Sequence, residues 1–198
     1  MPSFPSLDTK CGRYFRYRDF IECGETYQVI HPDNVPKSKK TYDSLLELAQ
    51  EILDPVVKQF GDVSLTYGVS CRELSRQIDM KISPPLDQHA SYEVNSKGNL
   101  ICERGGAAVD FFSIAHNFLL LAQWVTHNLN FDRLYFYGVD RPIHVSVGPE
   151  KSRHIVLMRM SKNPERRIPR KISIEKFEAL NEDDHLITSC SHYEGELL

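Results

Sequence analysis

Four short runs in the second half of the chain carry most of the constraint on its fold: AVDFF (108–112), RLYFYGV (133–139), PIHVSV (142–147) and RHIVLMRM (153–160). Each is rich in β-branched and aromatic residues, and each is short enough to read as a strand. The second and third are separated only by Asp140 and Arg141 before Pro142, so they are expected to be neighbours joined by a tight turn. Between the first and second lies SIAHNFLLLAQWVTHNL (113–129), a helix by its apolar spacing, with Ile114, Phe118, Leu121, Ala122 and Val125 on its faces. A chain with this succession cannot be all-helical.

The first half is helical by the same test. In TYDSLLELAQEILDPVVKQFG (41–61), residues Leu45, Leu48, Ala49, Ile52, Val56 and Phe60 share one face. Thr41 or Asp43 would cap this helix and Gly61 would end it, while Pro55 predicts a kink inside it. DVSLTYGV (62–69) alternates as a strand does, and SCRELSRQI (70–78) reads as a short helix with Ser70 as N-cap and Glu73 as its partner. Residues 79–104 are polar and punctuated by Pro84, Pro85, Asn95, Gly98 and Asn99; so long an excursion predicts a small hairpin or a functional flap. The expected class is α+β, with helices packed on a mostly antiparallel sheet.

With 198 residues the chain has the size of one domain with a real core, and its 41% apolar and 26% charged residues are ordinary for a soluble protein. A net charge of -3 selects no partner class. Neither a secretory signal nor an 18-residue apolar stretch is visible, and the five cysteines, Cys11, Cys23, Cys71, Cys102 and Cys190, form no CxxC pair. They read as reduced thiols of a cytoplasmic protein. From Lys151 to Lys171 eight lysines and arginines face one acid, Glu165; from Glu175 onward seven acids face one lysine. The basic stretch reads foremost as a solvated surface, with nucleic acid or another anion as a less favoured partner.

With no CxxC and no HExxH, a metal site has to be assembled from imidazoles and carboxylates of distant segments. His144 is the first candidate: on a strand it shares a face with Ser146, away from Ile143, Val145 and Val147. A partly buried histidine bonded to backbone is the alternative. Asp110 is the second, a carboxylate between Val109 and Phe111 that is costly to bury unless paired or metal-bound. A helix cap or an ion pair with an arginine is its alternative. His116 and His127 are expected to be structural or solvent-facing.

Taken together, these segments resemble peptidase family M15, the D-alanyl-D-alanine carboxypeptidase type of zinc peptidase with the hedgehog/DD-peptidase fold. GAAVDF matches the second half of the family's Ser-x-His-x-x-Gly-x-Ala-x-Asp motif, with Gly106, Ala108 and Asp110 in register. HVSVGP resembles the close of the branch ending His-Val-Asp-Val-Gly-Pro, YFRYRDFIECG is similar to its opening, and the likeness runs from Tyr14 to Met160. It implies a metallopeptidase domain over 1–160, with 161–198 as a basic-then-acidic extension.

The resemblance implies Zn2+ held by His89, Asp110 and His144, with a peptide or amide substrate such as a D-amino-acid-containing peptidoglycan peptide. Arg72, after YGVSC, is the match to the family's substrate- or oxyanion-binding arginine. The chain departs from the pattern in three places. Seven residues before Asp110 stands Glu103, so either Glu103 is the first ligand or an insertion follows His89 and a flap returns it to Asp110. Arg141 stands where many members have a glutamate general base, and Ser146 replaces the closing aspartate. Asp140, Glu103 or Glu93 would have to supply the missing carboxylate. Otherwise the chain is an inactive binding or assembly module, with Arg141 and the basic stretch meeting an anionic partner.

Overall fold

The computed structural model describes residues 4–78, 83–161 and 166–184. Within them lie α1 (Tyr17–Ile21), α2 (Glu25–Ile30), α3 (Lys39–Leu48), α4 (Asp54–Phe60), β1 (Ser64–Tyr67), α5 (Arg72–Ser75), β2 (Ala107–Phe112), α6 (Phe118–Asn128), β3 (Arg133–Phe136), β4 (Ile143–Val147), β5 (His154–Met160), β6 (Arg167–Ile172) and α7 (Ile174–Glu178). Cys190, His185, His192 and the last two acids of the tail, Glu194 and Glu196, fall outside the described residues.

The fold is α+β, with helices packed on a mixed six-stranded sheet of order β1-β2-β4-β3-β5-β6. Four strand pairings are antiparallel and one, β3 with β5, is parallel. β3 and β4 are the expected neighbours across the Asp140–Pro142 turn. The chain then crosses the end of β3 to reach β5, and buried Asp132 holds the crossing: it accepts from the Ser152 amide at 2.9 Å and the Ser152 hydroxyl at 2.8 Å.

Alternation decides what each sheet face carries. Val109 and Phe111 of β2, Leu134 and Phe136 of β3, and Ile143, Val145 and Val147 of β4 enter the core beneath α3, α6 and α7. The opposite face carries Asp110, His144 and Tyr135, and residues 83–106 fold over it. That segment is a flap: Val94 bridges Leu100, and the Ile101 amide donates to Glu93 O at 2.9 Å. Its tip, Asn95 to Asn99, is exposed.

Three local expectations are corrected. α3 starts at Lys39, and its first turn is capped by buried Glu93 from the flap, which accepts from the amides of Lys37 (3.0 Å) and Ser38 (3.2 Å) and from the Thr41 hydroxyl (2.7 Å). α5 begins at Arg72 after Cys71, with no side-chain cap, and Ser70 lies one residue before the cap position, donating its amide to His89 O at 2.9 Å. α6 begins at Phe118, since Asn117 accepts from the amides of Leu119 and Leu120; Ile114 lies before it and is 85% exposed.

Pro55 is accommodated by a π-helical turn, Ala49–Leu53, directly before α4. Widening the turn there relieves the bond that a proline nitrogen cannot make. Gly61 ends α4 with φ 76°, as expected of a glycine stop.

β6 pairs with β5 along six residue pairs, and Phe177 of α7 is fully buried against Phe136. Parts of the basic stretch are also structural. Arg153 lies over the Phe131 ring and donates to the carbonyls of Leu129 and Thr126 at the end of α6, and Arg167 donates to Tyr137 O and Met158 O.

A candidate metal centre

Three segments bring one side chain each to a common point. β2 supplies Asp110 and β4 supplies His144, which stand directly opposite each other in the strand register. A 3-10 turn, Gln88–Ala90, supplies His89 at the root of the flap. One ligand atom from each residue lies within 4.8 Å of the others. His144 Nδ1 is 2.8 Å from Asp110 Oδ1, His89 Nε2 is 3.2 Å from the same oxygen, and the two ring nitrogens are 3.1 Å apart.

The two imidazoles are almost fully buried, while the Asp110 side chain retains 25% exposure and forms the open side of the cluster. His89 is aimed by backbone. Its Nδ1–H donates to Gly68 O at 2.7 Å, which turns Nε2 toward Asp110 and His144. Gly68 itself must be glycine, because a Cβ there would sit 2.2 Å from Phe20 O. Its amide neighbour Val69 donates to that same oxygen at 2.8 Å, fixing the loop. Tyr67 packs on the His89 ring at 4.0 Å between centroids, and Tyr135 stacks flat on His144 at 4.7 Å and 12°.

Gln88 holds the flap root to the sheet. Fully buried, its side-chain amide donates to Gly105 O and to Asp132 Oδ2, both at 2.9 Å, and its carbonyl accepts from the Ser146 hydroxyl at 2.8 Å. Ser91 donates to Gly106 O at 2.5 Å. Gly106 is the second required glycine: φ is +84° and a Cβ would lie 1.9 Å from Val147 O.

Burial raises the cost of the Asp110 charge, yet the charge of His89 and the hydrogen bond from His144 outweigh it and hold the carboxyl far below its usual range. Burial works against a charged His89 too, but Asp110, with Asp87 and the Gly68 carbonyl, raises its pKa above the ordinary value.

The donor set fits zinc. Two imidazole nitrogens and one carboxylate oxygen match the ligand types and the count of an open, catalytic zinc position. Bonds of about 2.0–2.1 Å at tetrahedral angles set donors about 3.3 Å apart, close to the 2.8, 3.1 and 3.2 Å separations already present.

The other sequence candidates lie elsewhere. Glu103 is exposed on the returning limb of the flap, its amide donating to Pro85 O, and it is not a member of the cluster. Asp140 and Arg141 are exposed on the β3–β4 turn, 4.0 Å from each other. Arg72 opens α5, with no hydrogen bond or ion pair to the triad among the described residues. Glu93 is consumed by α3. Sequence reasoning missed Gln88, Tyr67, Tyr135 and Arg104, whose Nη1 donates to the Tyr135 hydroxyl at 2.9 Å. A signal existed for Tyr135, since alternation in RLYF sets it on the face opposite Leu134 and Phe136. His116 and His127 keep away from the cluster, the first edge-on to Phe60 and the second paired with Glu178 at 3.3 Å.

No protein-family model, no curated protein and no solved structure matches the chain.

Proposed function

We propose that the protein is a zinc-dependent hydrolase of the M15 kind, acting on a peptide or amide bond, with His89, Asp110 and His144 as the metal's protein ligands. The observation that carries this reading is the convergence of those three side chains from three segments, with the far nitrogen of His89 already committed to Gly68 O. The order of helix, strand, flap, aspartate strand and histidine strand supports a hedgehog/DD-peptidase-like fold. Bound zinc supplies a charge that polarises the carbonyl under attack and acidifies water. The chain's own part is to orient. Gly68 sets the His89 tautomer, Tyr135 braces the His144 ring, and Asp110 keeps its negative charge at neutral pH. The substrate class that follows from the likeness is a peptide containing D-amino acids. Cys11, Cys23, Cys71 and Cys102 are free thiols, and the compartment proposed is the cytoplasm. No helix among the described residues is long and apolar enough to cross a membrane.

A second reading, a metal-holding module without turnover, is favoured by one specific observation. The carboxylates proposed to replace the general base are spent or displaced: Glu93 caps α3, Glu103 is outside the cluster, and Asp140 sits by Arg141.

Elemental analysis of the purified protein and of His144→Ala separates these readings from no metal site at all. One zinc per chain, lost in the variant, is expected. A wild-type protein that takes up no zinc after chelator treatment and reloading would end both. Zinc-loaded protein inert toward a panel of peptides and amides would leave the second.

A further inference from the structure

The sheet face that bears the triad continues beyond it. His144 on β4 stands opposite Tyr135 on β3, Tyr135 beside Val156 on β5, and Val156 opposite Lys171 on β6. The next row on the same face is Ser146, Arg133 and His154. The face stays open here: His154 and Val156 are half-buried and Lys171 is exposed. Strands are about 4.8 Å apart, so Lys171 is anchored about 14 Å from His144 along the row.

Cations collect on this open half. Arg104 reaches in from the flap, tied through Nη1 to the Tyr135 hydroxyl at 2.9 Å and to Leu86 O at 3.0 Å. Arg133 pairs with Glu150 at 2.8 Å, and its Nη1 donates to His154 Nδ1 at 3.2 Å. A guanidinium cannot accept, so His154 Nδ1 is the acceptor and the ring's hydrogen is on Nε2. Burial, and then the charges of Lys171, Arg133 and Arg104, hold the His154 pKa below the ordinary imidazole range, which keeps the ring neutral. Of these three cations only Arg133 is matched by a carboxylate; among the described residues none pairs with Arg104 or Lys171.

We propose that this strip is an oxyanion subsite that receives a phosphate group, with Arg104 and Lys171 supplying charge and His154 a neutral N–H donor. Two unmatched cations on separate elements, joined by a third donor, suit a group of charge about −1.5 to −2 with three acceptor oxygens better than a carboxylate. Resting on the hydrolase reading, this makes the substrate a phosphorylated peptide or amide, its phosphate one to two strand spacings, about 5–10 Å, from the bond presented at the triad.

The test titrates metal-free and zinc-loaded protein with inorganic phosphate and follows the ring nitrogens of His154, His89 and His144 by NMR. Saturable movement of His154 in both forms is expected. Lys171→Ala and Arg104→Ala should each weaken it about tenfold, and acetate should bind more weakly than phosphate. Movement of His89 and His144 without His154, unchanged binding in both variants, or acetate binding as tightly as phosphate would each overturn the assignment. Lys171 is exposed, so its variant tests the strip even where Arg104→Ala disturbs the flap. Zinc loading of the wild type separates the two readings: a wild-type protein that takes up no zinc after reloading yet still binds phosphate at His154 supports the subsite while removing the hydrolase.

Discussion

His89 is held through every polar atom it has. Its amide donates to Asp87 Oδ1 at 3.1 Å, its carbonyl accepts from Ser70 at 2.9 Å, and its ring joins Gly68 O and Asp110. The protons of this cluster set a stability window for the metal-free protein. Asp110, depressed in the folded state, favours folding above the ordinary carboxylate pKa of about 4, and that contribution is lost as pH falls below it. His89, raised in the folded state, favours folding below the ordinary imidazole pKa of about 6.5, and that contribution is lost as pH rises through its higher value. Urea midpoints of chelated protein should therefore peak between about pH 4 and pH 7. Asp110→Asn should flatten the acid limb, and a wild-type midpoint climbing steadily into the alkaline range would contradict the pairing. Asp110 was legible as the one polar residue of its strand, and His144 because alternation sets it with Ser146 on the face away from Ile143, Val145 and Val147. The Gly68 carbonyl was not, because a backbone acceptor leaves no mark on residue type.

Among the elements, the flap does two separable jobs. Gln88 ties its root to β4 and to Asp132, and Glu93 ties its rising limb to the first turn of α3. Gln88→Ala should loosen His89 and weaken zinc binding by about 10–100-fold, as lost outer support does at metal sites. Glu93→Ala should lower stability by about 2 kcal/mol through the lost cap and leave zinc affinity nearly unchanged. Competition against a chromogenic chelator and urea unfolding read the two effects apart; equal zinc loss in both variants would contradict the division. The hairpin character of the flap could be read from its Asn and Gly residues. Its use as a helix cap could not, since Glu93 meets Lys37, Ser38 and Thr41 only after the flap docks. The parallel placement of β5 was hidden for a similar reason: strand alternation fixes faces but not partners.

Across the whole molecule, β6 and α7 complete the layers that begin with α3. Phe177→Ala should cost about 3–5 kcal/mol, seen as a lowered urea midpoint, because it empties a fully buried site against Phe136. A loss below about 1 kcal/mol would mean that α7 is an attachment rather than part of the core. The charge pattern concealed this role. Arg153 and Arg167 look like solvated surface in sequence, yet both spend their guanidinium groups on backbone carbonyls.

The exposed tip of the flap carries Lys97, between the Val94–Leu100 bridge and well away from Gln88, Ser91 and Glu93. A protease cutting after Lys97 would sever the chain while leaving all three anchors in place. His89 would then belong to one fragment, and Asp110 and His144 to the other. The triad would become an interface, assembled or lost as two peptides associate or part.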